Sequence, residues 1–475
     1  MPPPTSPTAP LLGHFGDARR RRVGIDLLAR LMAVGPAGGS VRYLGGKRAG
    51  EIRFGRFLAN PKVTAAEMLA TAAASTRALT PGRHILAIQD TTGLRDDGER
   101  VSLNLHPTIA MDATNGALLG LIAAVLLPRD GSAAAVHCNK RAFREKESYR
   151  WLASEEAAAT LLAAGAASVT VVGDREGDIY EDFALRPPGV EVLFRAHHNR
   201  KLADGGSLFS RPAAWAELGR ETITIPPASG RRERTAVLAV RAGAVTLARP
   251  KRNRAAEAAK LPAAVTVHLV EAREVDPPAK EKPVVWRLLT THPVGGLAAA
   301  LRITSYYRRR WTIEQLFRTI KTKGFDVEAS RVGSGGRFEK LALATLIAGI
   351  AVLSLVQARD GAEGRALSEV FPAADATLIA AIGARQEGRT ARQQNPHPPG
   401  SLAHASWVCA RLGGWGGYYG KPGPVVMLRG LLRLEAMMEG MRMASEGRGV
   451  GPEGLCCQRN ETRILRVGDR QEGDV

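Results

Sequence analysis

The chain has 475 residues, enough for about two or three domains with at least one sizeable core. Lys and Arg number 66 against 46 Asp and Glu, a formal charge of +20 that favours polyanionic partners, nucleic acid above all. Abundant Ala, Gly and Arg also fit the codon bias of a GC-rich genome, so charge alone leaves both readings open. The four cysteines, Cys138, Cys409, Cys456 and Cys457, match neither a zinc site nor a disulfide framework. Met1-Pro2-Pro3-Pro4 lacks the layout of a secretory signal. The longest apolar run, around Leu341 to Val356, is too short and Ala-rich to span a bilayer. A cytoplasmic protein with no membrane partner and no small-molecule substrate is expected.

Residues 1 to about 12 are Pro-rich and expected to be disordered. From Asp17 to about Ser75 the pattern is basic and helical. Arg19, Arg20, Arg21 and Arg22 open a helix with Ile25, Leu28, Leu31 and Met32 in period, ending near Gly35-Pro36. Such a helix suits phosphate contact, or a solvated basic face. His84 to Ile88 reads as a short strand ending at Gln89-Asp90-Thr91-Thr92. Ser102 to His106 and Ala117 to Leu127 read as further strands. A helix over Glu155–Ala164 precedes a strand over Ser168–Val172, which ends at Gly173-Asp174. Another helix is expected over Glu176–Phe183. From about 190 to 290 the chain is β-rich: 191–193, 222–225, 235–240, 245–248, 265–270 and 284–289. Between these lie basic turns at 231–234 and 249–254. Helix returns from Leu297, Phe338 to Gln357 is strongly apolar, and the rest is helical and Gly-rich with a loop at about 386–400. The elements describe an α/β protein.

Tyr307 to Lys321 reads as one helix. Tyr307, Arg310, Glu314 and Lys321, at offsets 0, 3, 7 and 14, fall within about 60° of arc. Ile313, Leu316, Phe317 and Ile320 form a neighbouring stripe for burial. A lone acid ringed by cations on a docked helix suits a metal ligand beside bound phosphates. Asp90 and Asp174 each follow an apolar strand, and three carboxylates so placed can converge on two divalent cations about 4 Å apart. Mg²⁺ suits them as a hard ion that takes oxygen ligands and shares phosphate oxygens. Taken singly, each acid is more often a turn or capping residue; the combination in this order carries the argument.

Gln89-Asp90-Thr91-Thr92, Asp174-Arg175-Glu176-Gly177-Asp178-Ile179-Tyr180 and the Tyr307/Arg310/Glu314/Lys321 tetrad resemble the DDE transposases of bacterial cut-and-paste insertion sequences. More narrowly they resemble the group whose third motif reads Tyr-x2-Arg-x3-Glu-x6-Lys. The resemblance extends over nearly the whole chain. It includes Phe57-Leu58-Ala59-Asn60-Pro61-Lys62-Val63, Glu145-Lys146-Glu147-Ser148 and Ala410-Arg411-Leu412-Gly413-Gly414. It implies a ribonuclease-H-like catalytic domain over about 81–365, with a β-sheet insertion at about 190–290. A helical DNA-end-binding region (1–80) would precede it. A helical dimerisation region with a frayed tail (366–475) would follow.

By the same resemblance Asp90, Asp174 and Glu314 hold two Mg²⁺ ions, with Mn²⁺ as a substitute. Tyr307, Arg310 and Lys321 grip backbone phosphates. Trp286 stacks a flipped base and eases hairpin formation; Arg195 and, more weakly, Arg331 contact the DNA backbone. The implied partner is double-stranded DNA, both transposon ends and target, in a homodimeric synaptic complex. Asp178 competes with Asp174 for the ligand role but lies further from the strand end. His106 and the His197-His198 pair have no spacing that supports catalysis. Two features depart from the family pattern: the acidic Asp96, Asp97 and Glu99, and the helix-interrupting Gly45, Gly46 and Gly50. A nuclease or junction resolvase on the same core, and a DNA-binding remnant that regulates active copies, are the competing readings.

Overall fold

The computed structural model describes residues 11–34, 41–95, 102–129, 143–225, 233–250, 261–279, 281–321, 325–333, 335–361, 364–418 and 420–446. The Pro-rich opening, Asp96, Asp97, Glu99, Cys138, Cys456, Cys457, parts of both basic turns and the final stretch lie outside them.

Four helices come first: α1 (Ala18–Val34), α2 (Val41–Gly45), α3 (Arg48–Ala59) and α4 (Ala65–Arg77). Four arginines at a helix start oppose the helix dipole. Asp17 offsets this as its carboxylate accepts from the Arg19 N–H at 2.7 Å. Leu27, Leu28 and Leu31 are buried on α1, whereas Ile25, expected in the same stripe, is exposed. Gly45, the last residue of α2, and Gly50, in the first turn of α3, meet at a tight corner. A Cβ on Gly45 would lie 2.2 Å from the Glu51 nitrogen, and one on Gly50 would lie 2.1 Å from the Gly45 carbonyl.

The strands are β1 (His84–Gln89), β2 (Thr92–Leu94), β3 (Ser102–Asp112), β4 (Leu118–Arg129), β5 (Ser168–Gly173), β6 (Val190–Arg195), β7 (Gly219–Ile225), β8 (Arg234–Ala248), β9 (Ala264–Glu274) and β10 (Val285–Thr290). They form one mixed sheet in the order β3-β1-β5-β6-β10-β9-β8-β7, with β2 and β4 also paired to β3. Among the described residues, only β1–β5 and β5–β6 pair in parallel. A mixed sheet of this kind is consistent with a ribonuclease-H-like transposase core. The β-rich stretch joins this sheet edge to edge, because β10 pairs antiparallel with β6. Two runs expected as separate strands, 235–240 and 245–248, are one, since β8 stays paired to β9 throughout. Gly243 in its middle permits close approach of the Trp215 ring, 2.6 Å from where a Cβ would stand.

Residues alternate across the sheet, so Ile85 and Ala87 pack on one face and Leu86 and Ile88 on the other. The first face lies under α5 (Tyr149–Ala163), with Trp151, Val169, Val171 and Phe194. The expected helix over 176–183 is instead a single 3₁₀ turn, Arg175–Gly177, followed by α6 (Tyr180–Ala184). A Cβ on Gly177 would meet the Phe194 ring at 2.7 Å, which holds this turn flat on β6.

The segment expected as one helix over 307–321 is two, α7 (Leu297–Arg308) and α8 (Trp311–Ile320). Arg309 draws the junction toward the β3–β4 connection, donating to the Asp112 carbonyl at 2.8 Å and the Thr114 carbonyl at 3.2 Å. Hydrogen bonds from Arg310 N to Tyr307 O and from Thr312 N to Arg309 O tighten the turn to 3₁₀ spacing.

The apolar run at 341–356 belongs to α9 (Gly335–Ala358), 24 residues and long and apolar enough to cross a bilayer by length and composition. It is instead the buried central helix of the second face, packed on β4, α8, α1 and α4. Each Leu or Ile it buries contributes about 1.5–3 kcal/mol. The chain continues through α10 (Ala376–Ala384), α11 (Leu402–Leu412) and α12 (Pro424–Glu446), and α1 packs on α12.

Candidate catalytic site

Strands β1 and β5 run parallel in one register, from His84 opposite Ser168 to Ile88 opposite Val172. Two residues beyond that last pair, and just past the end of each strand, stand Asp90 and Asp174. Neighbouring strands lie about 4.8 Å apart, so the sheet itself sets these two carboxylates side by side. Each is fixed by a nearby amide: Asp90 Oδ1 accepts from Thr91 N, and Asp174 Oδ1 accepts from Glu176 N, both at 2.8 Å. Asp90 sits in the gap between β1 and β2, where pairing with β3 lapses and then resumes in the same register, Gln89–Thr108 and Thr92–Leu105. The rung opposite Asp90 is Pro107, which has no N–H to donate.

Arg310 reaches this pair from the start of α8. Its Nη1 donates to Asp90 Oδ2 at 3.0 Å and its Nη2 to Glu314 Oε1 at 2.5 Å. Burial pushes the Asp90 carboxyl up to about 7, and the neighbouring Asp174 charge adds to this against the opposing pull of Arg310. Arg310 Nε is buried without a hydrogen-bond partner. The Tyr307 ring is buried beneath the guanidinium, its centroid 5.8 Å away. Three members of the tetrad therefore gather. Lys321 lies just past the end of α8 and points to Glu328, 3.9 Å away.

Trp286, half-buried on β10, meets the Tyr307 ring edge-on with centroids 6.1 Å apart. Arg195 ends β6 and donates to the Val285 carbonyl at 3.0 Å, bracing the strand beside Trp286. Arg331 lies apart from this group. It lines a cleft of about 570 Å³ together with Arg42, Tyr43, Arg48 and Arg337. Arg19, Arg21 and Arg22 are exposed on the first turns of α1, while Arg20 turns back to the Phe15 carbonyl at 2.9 Å.

Residues 157–349 match the family model for the transposase DDE domain. The match, which covers less than half of the chain, supports a DDE transposase domain and a transposase-type function; that family acts on DNA and generally uses divalent metal ions. The matched segment contains Asp174, Arg195, Trp286, Tyr307, Arg310, Glu314, Lys321 and Arg331. Asp90 precedes it in sequence and joins it in space through the β1–β5 pairing.

As placed, no three His, Cys, Asp or Glu side chains among the described residues stand close enough to hold one ion. Between Asp90 and Glu314 lies the Arg310 guanidinium, which satisfies both. The donor chemistry nevertheless fits a hard divalent cation. The set is all carboxylate, two members follow neighbouring parallel strands, and the cost of charge on Asp90 is what a cation offsets.

Asp178 is spent elsewhere: it pairs with Arg200 at 2.7 Å and accepts from the amides of His197 and His198. His106 is fully buried, and burial, helped by Arg150, pulls its pKa to about 3, so the ring is neutral. Two residues beside the site carry no sequence signal. Trp311 is 50% exposed next to Arg310, off the apolar stripe of α8. Arg150 reaches the loops of both Asp90 and Asp174.

Proposed function

We propose that this protein is a DNA transposase that binds terminal inverted repeats, cleaves the ends by two-metal-ion hydrolysis through a hairpin intermediate, and transfers the 3′-hydroxyls to target DNA. The observation that carries the reading is the placement of Asp90 and Asp174 just past the ends of two paired parallel strands, with one guanidinium linking Asp90 to Glu314. These three carboxylates would hold two Mg²⁺ ions, or Mn²⁺ in their place. The ions, when bound, supply Lewis-acid activation of the attacking oxygen and charge stabilisation of the leaving one.

The remaining roles belong to the chain's own side chains. In the DNA-free arrangement both Nη atoms of Arg310 are engaged by Asp90 and Glu314. With DNA seated and metal ions neutralising the acids, its fork turns to a phosphate oxygen, a move that also brings the buried, unpartnered Nε–H a partner. Tyr307 and Lys321 flank the same phosphates. Trp286 offers its partly open face to an unstacked base, while Arg195 holds the strand that carries it. The basic cleft at Arg331 and the exposed arginines of α1 extend the positive surface away from the acids. In this reading residues 1–80 recognise the ends, 81–365 perform the chemistry, and 366–475 form the homodimer of the synaptic complex. The working compartment is the bacterial cytoplasm, at the nucleoid.

The test is cleavage of a labelled fragment carrying the element's own ends, with and without Mg²⁺. Strand breaks at the element boundary that require the ion support the reading. Binding without any cleavage, in Mg²⁺ or Mn²⁺, rejects it.

A further inference from the structure

Arg150 stands in the first turn of α5 with its side chain 11% exposed, and all three of its nitrogens are engaged. Nε donates to Thr91 Oγ1, Nη2 to Glu176 Oε2 and Nη1 to the Glu147 carbonyl, each at 3.1 Å. The first two partners are the residues whose amides fix the candidate ligands. Thr91 N donates to Asp90 Oδ1 and Glu176 N donates to Asp174 Oδ1. One guanidinium therefore ties together the two short loops that aim the two carboxylates.

The Thr91 end of this bridge is anchored in turn. Because Thr91 Oγ1 accepts from Arg150, its own proton is free to go to His106 Nδ1, 2.8 Å away. The neutral ring then carries its proton on Nε2 and donates to Gln89 Oε1 at 2.9 Å. A directional chain runs from Arg150 through Thr91 and His106 to Gln89, on the strand that bears Asp90. Trp151 packs edge-on against His106, with centroids 4.7 Å apart, and fills the space behind it.

We propose that Arg150 is a positioning residue that clamps the Asp90 loop to the Asp174 loop and so sets the separation of the two carboxylates. The proposal rests on the reading of those acids as metal ligands. Arginine suits the task because its planar fork reaches two acceptors in fixed directions, which an ammonium cannot do. The clamp acts on the ligands through Thr91 and Glu176 and needs no contact with DNA.

The test uses the full chain and Mn²⁺ alone, followed by the resonance of the free ion, together with binding of a labelled end fragment in metal-free buffer and thermal melting. Arg150→Ala should weaken Mn²⁺ binding about ten-fold or more, as loss of an outer support of a metal ligand does. Metal-free DNA affinity should stay at the wild-type value. Arg150→Lys should recover part of the Mn²⁺ affinity, and Glu176→Gln should weaken it in the same direction. If Arg150→Ala does not fold, the Lys and Gln variants decide. Wild-type Mn²⁺ affinity in the variants overturns the clamp. So does a loss confined to DNA affinity, which would make Arg150 a phosphate contact. A wild-type chain that binds no Mn²⁺ removes the ligand reading and the clamp with it.

Discussion

Arg310 and Glu314 lie one turn apart at the start of α8, joined by an Nη2–Oε1 contact of 2.5 Å, and the same guanidinium holds Asp90 at 3.0 Å. The cation that neutralises two of the candidate ligands is thus also the nearest candidate for phosphate binding. Glu314→Ala should reduce Mg²⁺-dependent strand cleavage by more than about a hundred-fold, beyond what loss of an outer-shell partner costs. Binding of the end fragment should persist, because Arg310, Tyr307 and Lys321 remain. Cleavage at the wild-type rate would remove Glu314 from the ligand set.

Trp286 reaches the site through Tyr307, and part of its ring is open. If a base stacks there, Trp286→Ala forfeits about 1–3 kcal/mol, a roughly 5- to 150-fold effect on the step that needs the unstacked base. First-strand nicking should be spared and hairpin formation slowed. Following both products on one labelled fragment checks this; equal slowing of both steps would make Trp286 a packing residue only.

The cleft lined by Arg42, Arg48, Arg331 and Arg337 joins α2 and α3 to the segment that follows α8. Arg48 is paired with Glu51 at 2.9 Å. Among the described residues, Arg42, Arg331 and Arg337 have no acidic partner. Affinity for duplex DNA should fall steeply with salt, and each of Arg42→Gln, Arg331→Gln and Arg337→Gln should lower the log–log slope by about 1. A salt titration by fluorescence anisotropy reads this directly. An unchanged slope in all three variants would place the duplex elsewhere.

End recognition calls for substitution, not truncation. Leu27, Phe54 and Met68 from α1, α3 and α4 are buried in the core shared with α9, so deleting residues 1–75 would strip that face. Replacing Arg19, Arg21 and Arg22 with Gln touches only exposed side chains. The triple variant should lose preference for the terminal repeat over random duplex while keeping its melting temperature. Undiminished preference would assign the reading of ends to other residues.

The tetrad was legible because a helical spacing in sequence is nearly a spacing in space, and Tyr307, Arg310 and Glu314 do meet. Asp90 and Asp174 were legible as acids following apolar strands. Their placement side by side was not, since it depends on the pairing of β1 with β5, set by residues about eighty apart. The break at Arg309 was hidden for the same reason: the carbonyls that draw it, Asp112 at the end of β3 and Thr114 in the turn to β4, are far from it in the chain. Arg150 gave no signal because its meaning lies wholly in its partners, Thr91 and Glu176, far from it in the chain. Local periodicity predicted which side chains matter; tertiary pairing decides where they stand.

A last expectation concerns stability. Glu155 on α5 and Asp182 on α6 are fully buried, and none of their four carboxyl oxygens has a hydrogen-bond partner. Burial, then the charge of Asp182, raises the Glu155 pKa; burial, then Glu181 and Asp178, raises that of Asp182. Arg186 on one side and Arg200 and Arg150 on the other oppose this without reversing it. Both pKa values are higher folded than unfolded, so the folded state binds protons more tightly here. The stability this confers is complete below the unfolded values, 4.5 and 3.8, and is lost as pH rises through the folded ones. Other carboxylates titrate in the same range, so the readout is a difference. The stability of Glu155→Gln minus wild type, from urea melts between pH 5 and 8, should grow in favour of the variant as pH rises. Gln stays neutral throughout, whereas the wild type must retain a proton or bury a charge. A difference that stays constant across that range would mean that the pair is already relieved in the folded protein.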